Sequence, residues 1–258
     1  PNLLCYTRII LAFVGLSYAE TNAPTTAVVV WCLSASLDWF DGILARAWQQ
    51  TSRLGILLDI LADNMLRTCM WMAASSSSCD PMNNNNNNTH TTILRLVATA
   101  IICVEWSTMV CTQLLQVTTT TTQQLSKNNS DKKHWKDLNH SPRCPPPWWV
   151  QAIFAHNFKT PLGIWCIYGL FGAPFVAYLE GHYGNGAGTS STTWMILVSH
   201  KYYYHLWTAC RYLAYTGRGV ALLAELWFCH EYLIHTVVEA DMKELQQRHY
   251  LANKNKNK

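Results

Sequence analysis

Residues 27–74 read AVVVWCLSASLDWFDGILARAWQQTSRLGILLDILADNMLRTCMWMAA and contain two long apolar runs separated by a short polar stretch. Acidic residues lie near the facing ends of these runs, Asp38 and Asp41 in the first and Asp59 and Asp63 in the second. A helix needs about 20 residues to cross a bilayer, and each run is about that long. Because the connection is short, the segment predicts two antiparallel membrane helices packed side by side.

The composition of the whole chain extends this prediction to a membrane protein with several spans. Of the 258 residues, 50% are hydrophobic and only 13% are charged. Soluble domains carry a charged fraction of about 25%. The polar residues concentrate in homopolymeric tracts such as Ser75–Ser78, Asn83–Asn88 and Thr118–Thr122, which leave strongly apolar segments between them. This pattern argues against a water-soluble enzyme and against a disordered chain.

Six transmembrane helices are predicted, and they would form an all-α, polytopic membrane bundle. The candidate spans are residues 3–19, 27–45, 55–74, 93–115, 161–179 and 219–238. An aromatic and basic stretch over residues 194–214 is predicted to lie in the membrane interface. We expect a single membrane domain over 1–258, with the polar tracts 75–92 and 118–147 as loops and 240–258 as a basic cytosolic tail.

The distribution of lysine and arginine orients the predicted helices. Most of the 19 basic residues fall in the connection between the second and third spans, in the loop between the fourth and fifth, and in the tail. The opposite connections, residues 20–26, 74–92 and 180–193, contain neither lysine nor arginine. The positive-inside rule therefore predicts that the N-terminus and the C-terminus are both cytosolic.

Four carboxylates at the ends of two membrane helices require neutralisation, because a charge at mid-membrane costs about 2.5–3.5 kcal/mol on insertion scales. Asp38 and Asp41 are three residues apart and Asp59 and Asp63 are four apart, so each pair shares one helix face. Neighbouring arginines would offset part of the charge, and a divalent cation would offset it more completely. The arginines considered for this role are Arg46, Arg53 and Arg67. Oxygen-only ligation favours Mg²⁺ or Mn²⁺, and two such ions can stabilise a phosphoryl-type displacement.

The acidic residues form a fixed pattern with small residues and an arginine. It reads Asp38-x-x-Asp41-Gly42-x-x-Ala45-Arg46, eight residues, and Gly55-x-x-x-Asp59-x-x-x-Asp63. This pattern resembles the signature of the CDP-alcohol phosphatidyltransferase family, class I, at every fixed position. Within the family, residues 1–9 and 45–55 resemble the phosphatidylinositol synthases most. Bacterial phosphatidylglycerophosphate synthases typically read LDPxADK, whereas residues 58–64 here read LDILADN.

The resemblance implies an enzyme that cleaves the pyrophosphate of a CDP-linked lipid or alcohol, passes the phosphoryl group to a hydroxyl acceptor and releases CMP. Asp38, Asp41 and Asp59 would then ligate the Mg²⁺ or Mn²⁺ ions. Asp63 would share the metal site and act as the catalytic base that takes the proton of the acceptor. The resemblance also implies a set of residues that bind CDP-diacylglycerol, namely Gly42, Ala45, Arg46, Ser52 and Gly55.

The expected reaction transfers a phosphatidyl group from CDP-diacylglycerol to a polyol, for which we expect myo-inositol. One alternative keeps the chemistry and changes the acceptor to glycerol 3-phosphate, serine or an amino alcohol. A second alternative, from a different class, is a cation transporter or channel lined by the four aspartates. The basic cluster over residues 132–136 is interpreted as a contact with anionic lipid headgroups, and no nucleic-acid partner is expected. The resemblance implies a homodimer, and the homopolymeric tracts favour a eukaryotic chain in the endoplasmic reticulum membrane.

Overall fold

The computed structural model of the chain is helical. It describes residues 2–21, 23–47, 53–77, 87–125, 146–156, 158–183, 201–234, 241–242 and 245. The helices of the described residues include α1 (Asn2–Glu20), α2 (Pro24–Ala47), α3 (Arg53–Ser77), α4 (Asn87–Leu125), α5 (Trp148–Phe154), α6 (Pro161–Tyr183) and α7 (Lys201–Tyr232). The described ranges contain no β-strand, so the prediction of an all-α fold is confirmed for them.

Apolar helices long enough to cross a membrane occur in the described part of the chain. By length and composition there are three of them, Leu3–Glu20, Thr92–Leu114 and Pro161–His182. They coincide, within a few residues, with the first, fourth and fifth predicted spans. The other predicted spans fall largely on α2, α3 and α7, which carry more of the charged and polar side chains. The arrangement of six spans with cytosolic termini stays a prediction.

The homopolymeric tracts are more helical than the sequence suggested. We expected loops over residues 75–92 and 118–147, but α3 extends to Ser77 and α4 covers Asn87–Leu125. The hydroxyls of Ser75 and Ser76 donate hydrogen bonds to the carbonyl of Met72, at 2.7 and 3.3 Å. Serine can therefore continue a helix by bonding to its preceding turn, and a polar tract need not end one. Residues 78–86 and 126–145 of the two predicted loops, and nearly all of the tail over 240–258, lie outside the described residues.

The last long helix is continuous where a break was expected. The sequence predicts an interfacial stretch over 194–214 and a separate span over 219–238, but α7 runs without interruption from Lys201 to Tyr232 and joins the described parts of both. A side chain at Gly217 would place its Cβ 2.5 Å from the carbonyl oxygen of Trp165. Small residues allow two membrane helices to approach backbone to backbone. The close packing of α6 against α7 at this glycine explains why the helix persists through residues of weak helical propensity.

The chain forms two compact units, and the first comprises Pro1–Cys103 and Ile164–Ala221. Its core is built from apolar side chains of α1, α2, α3 and α6, with Ala98 of α4. The ring of Trp31 packs edge-on against Tyr178 with centroids 5.0 Å apart, and its indole N–H donates to the carbonyl of Ala12 at 3.3 Å. Helix α1 packs extensively against both α2 and α3, whereas α2 and α3 make few contacts with each other among the described residues. The two helices that carry the acidic residues are therefore joined through α1, and in the described part of the chain they do not form the side-by-side pair that the sequence predicts.

The second unit comprises Val104–Gly163 and Leu222–Lys258. In it Phe154 packs edge-on against Phe158 and Phe228, with centroids 4.8 and 5.2 Å apart. All nine predicted site residues belong to the first unit, so the second unit supplies none of them. A single membrane domain over the whole chain stays a prediction.

Candidate active site

Three of the four motif aspartates lie together. Asp38 is on α2, and Asp59 and Asp63 are one turn apart on α3. One carboxylate oxygen from each lies within 4.8 Å of the other two. Their side chains are 48%, 47% and 30% exposed, respectively, so the group is open to small ligands. The spacing of the aspartates along the two helices is what allows the three carboxylates to meet.

A buried arginine from α1 joins the three carboxylates. The side chain of Arg8 is only 1% exposed, and its Nη1 lies 2.8 Å from Oδ1 of Asp38 and 2.6 Å from Oδ1 of Asp59. Its Nη2 donates a hydrogen bond to Oδ1 of Asp63. The carbonyl of Arg8 accepts a hydrogen bond from the hydroxyl of Ser34, at 3.2 Å, which links α1 to α2. The site is therefore assembled from three helices rather than two.

The sequence-based prediction is that Arg46, Arg53 and Arg67 offset part of the negative charge of the aspartates, and it does not include Arg8. Arg67, on α3, donates to Oδ1 of Asn64 and lies over the ring of Phe171, 5.1 Å from its centroid. The side chains of Arg46 and Arg53 lie outside the described residues. Arg8 was missed, although a charged residue inside an apolar helix is rare and usually functional, which was the available signal.

The remaining predicted site residues are placed only in part. Asp41, Gly42, Ala45 and Arg46 lie on the last turns of α2, but their side chains are outside the described part of the structure. Ser52 also lies outside it. Gly55 is on the first turn of α3, four residues before Asp59. The roles predicted for these residues stay predictions.

The three described carboxylates fit a hard divalent cation. They offer oxygen ligands only, which is the preference of Mg²⁺ and Mn²⁺. Three carboxylates share one paired guanidinium, so negative charge remains that a divalent ion would balance. Asp38, Asp59 and Asp63 are the described residues that would hold such an ion.

The comparison with protein families agrees with this geometry. The family model for CDP-alcohol phosphatidyltransferase matches residues 1–170, about two thirds of the chain. The chain belongs to this family. Members of the family are divalent-metal-dependent phosphatidyltransferases, and among the described residues the aspartate cluster of α2 and α3 is suited to such a metal. Family membership and the three apolar helices together indicate an integral membrane protein.

Curated relatives match a part of the chain. They include the CDP-diacylglycerol–glycerol-3-phosphate 3-phosphatidyltransferases of Escherichia coli K12, Escherichia coli O157:H7 and Shigella flexneri serotype 5b. Each is 45% identical over 69 residues, which are 26% of this chain and 38% of the relative. The chain thus matches less than half the length of these relatives. No solved structure gives a significant match. A special likeness to phosphatidylinositol synthases stays a prediction.

Proposed function

We propose that the protein transfers a phosphatidyl group from CDP-diacylglycerol to the hydroxyl of a small polyol and releases CMP, in a reaction that requires Mg²⁺ or Mn²⁺. The observation that carries the proposal is the convergence of Asp38, Asp59 and Asp63, whose ligating oxygens lie within 4.8 Å of one another in a chain of this family. Carboxylates gathered at one point of an apolar fold are costly unless a cation is bound there.

In the proposed reaction the acceptor oxygen bonds to the phosphorus that carries diacylglycerol. The bond from that phosphorus to the bridging oxygen breaks, and CMP leaves with the bridging oxygen. Asp63 takes the proton of the acceptor hydroxyl, as a general base positioned on α3. Divalent ions bound by Asp38 and Asp59, together with the predicted ligand Asp41, would neutralise the charge on the phosphate oxygens.

The exposure of the carboxylates suits a reaction between a lipid and a soluble compound. Asp38 and Asp59 are each nearly half exposed, although the surrounding helices are apolar. We expect the lipid to enter sideways from the bilayer and the acceptor to arrive from the cytosol. We also propose that the protein forms a homodimer and that it resides in the endoplasmic reticulum membrane of a eukaryote.

The acceptor we propose is myo-inositol, because the chain lacks the Pro and the Lys typical of the LDPxADK sequence. The position of that lysine holds Asn64, a buried side chain whose oxygen accepts a hydrogen bond from Arg67. Glycerol 3-phosphate is the second candidate. It is favoured by the names of the curated relatives that match at 45% identity.

The first experiment is an acceptor panel with the purified full-length chain. CDP-diacylglycerol and Mn²⁺ are supplied with myo-inositol, glycerol 3-phosphate or serine, and CMP release is measured. We expect release only with metal and an added acceptor, and fastest with inositol. Preference for glycerol 3-phosphate would support the second candidate. Absence of CMP release with every acceptor, combined with cation flux in liposomes, would show that the protein is a cation transporter and that the proposed enzymatic function is wrong.

A further inference from the structure

Arg8 has an unusual place among the charged residues of the described structure. It is almost completely buried and pairs with three carboxylates at once, two of them through the same nitrogen. These carboxylates are the group that the structure brings within reach of a single metal ion. The guanidinium of Arg8 and a bound metal ion would therefore interact with the same three carboxylates.

The position of Arg8 is set by contacts that do not involve the acids. Ser34 donates a hydrogen bond to the backbone carbonyl of Arg8 and lies one turn before Asp38 on α2. Trp31, one turn earlier again, donates to the carbonyl of Ala12 on α1. These two bonds hold α1 against α2 at the level where the arginine meets the carboxylates. The cation is thus held in place by the packing of the helices.

We propose that Arg8 is the permanent counter-cation of the carboxylate site, a positioning residue that holds Asp38, Asp59 and Asp63 together and lowers their affinity for metal. The inference rests on the metal site of the proposed function. When no metal is bound, the positive charge of Arg8 reduces the repulsion among the three carboxylates, so that they stay close together. When a divalent ion binds, the fixed positive charge opposes it, so the ion is held less tightly.

Two substitutions separate the charge of Arg8 from its shape. Arg8→Gln removes the charge and keeps a polar side chain, so Mn²⁺ should bind about tenfold more tightly or better. The metal-free variant should also melt at a lower temperature, because the three carboxylates then repel one another. Arg8→Lys keeps the charge but loses the planar fork. It should keep the Mn²⁺ affinity within about threefold of the parent protein and lower only the metal-free melting temperature.

The control is Arg211→Gln, which removes an arginine paired with Glu180 elsewhere in the same unit. It should leave the affinity for Mn²⁺ unchanged. A purely structural role for Arg8 would lower the melting temperature in both Arg8 variants without tightening metal binding.

All proteins are purified as full-length chains in excess MnCl₂ and exchanged into chelator-buffered Mn²⁺ for titration and thermal melts. Tighter binding by Arg8→Gln alone supports the inference. Equal or weaker binding by Arg8→Gln overturns it and leaves the proposed function standing. Absence of Mn²⁺ binding in the parent protein overturns both. If Arg8→Gln does not fold, Arg8→Met, which also removes the charge, takes its place: tighter Mn²⁺ binding by Arg8→Met supports the inference, and equal or weaker binding overturns it.

Discussion

Arg8 and Arg211 are both arginines paired with acids of other helices in the first unit, and their surroundings differ. Arg211, on α7, lies 3.1 Å from Oε1 of Glu180 on α6, and both side chains are about a third exposed. The hydroxyl of Tyr215 donates to the other oxygen of Glu180 at 2.8 Å. Arg8 is buried and meets three acids.

The comparison shows that pairing as such does not mark a functional site. At Glu180 one positive and one negative charge cancel, and the two side chains share their charge with water. At Arg8 one guanidinium pairs with three carboxylates, so these described ion pairs leave negative charge that a divalent cation would balance. The unbalanced charge, held among buried helices, distinguishes the site from an ordinary surface ion pair.

The largest expected effect is on turnover. Asp63→Asn should lower CMP release by about 10²- to 10⁴-fold, because it removes the proposed base, while largely sparing binding of the CDP-lipid. Glu180→Gln, the matched substitution at the other arginine, should leave turnover within about twofold. Measurement of initial rates under saturating acceptor tests both. Near-normal turnover in Asp63→Asn would show that the base is assigned to the wrong residue.

The next effect concerns stabilisation by metal. Mn²⁺ at 100 times its dissociation constant should stabilise the parent protein by about 2.7 kcal/mol, because only the folded state binds it. Asp38→Asn should lose most of this stabilisation at the same concentration, whereas Glu180→Gln should keep it. Thermal unfolding with and without Mn²⁺ provides the measurement. An equal response in both variants would place the metal elsewhere.

A smaller effect is expected at the surface cluster. Tyr215→Phe removes the hydroxyl that donates to Glu180 and should reduce the free energy of unfolding by about 0.5–1.5 kcal/mol. Turnover should not change, because the cluster carries no surplus charge. Denaturant titration, with CMP release measured in parallel, checks both statements. A loss of activity in Tyr215→Phe would show that the cluster at Glu180 also contributes to function, as the cluster at Arg8 is proposed to do.

The smallest effect is expected for Arg211→Gln, at most about 1 kcal/mol of stability at low salt. Salt screens exposed charges, so this difference from the parent protein should shrink further at 1 M salt. Unfolding at two salt concentrations tests the prediction. A difference that persists at high salt would mean that the pair is shielded from water after all.

The sequence predicts the helices better than it predicts the contacts between them. Hydropathy locates α1, the apolar part of α4, and α6. The four-residue spacing of Asp59 and Asp63 shows that both acids lie on one face of α3. Arg8 could not be assigned in this way, because its partners on α3 are 51 and 55 residues further along the chain. Periodicity describes one helix at a time and carries no information about such a pairing.

The predicted helix boundaries were wrong for a different reason. The sequence-based prediction treats a serine tract as a loop, since serine disfavours helices on average, and it separates an interfacial stretch over 194–214 from a span over 219–238. In the structure, hydroxyls of Ser75 and Ser76 bond within α3, and Gly217 is held against the backbone of α6. Packing and local bonding override average propensity at these positions, and neither is visible in composition.

The distance of 51 residues between Arg8 and Asp59 also bears on biogenesis. As the chain is inserted into the bilayer, α1 emerges with an arginine whose acidic partners have not yet been synthesised. An unpaired arginine is poorly tolerated among lipid tails. Arg8 gains its first acidic partner when α2 brings Asp38, and the other two when α3 brings Asp59 and Asp63. Capture of Arg8 by the aspartates then completes the assembly of the first three helices, so the same event that matures the active centre ends a vulnerable stage of synthesis.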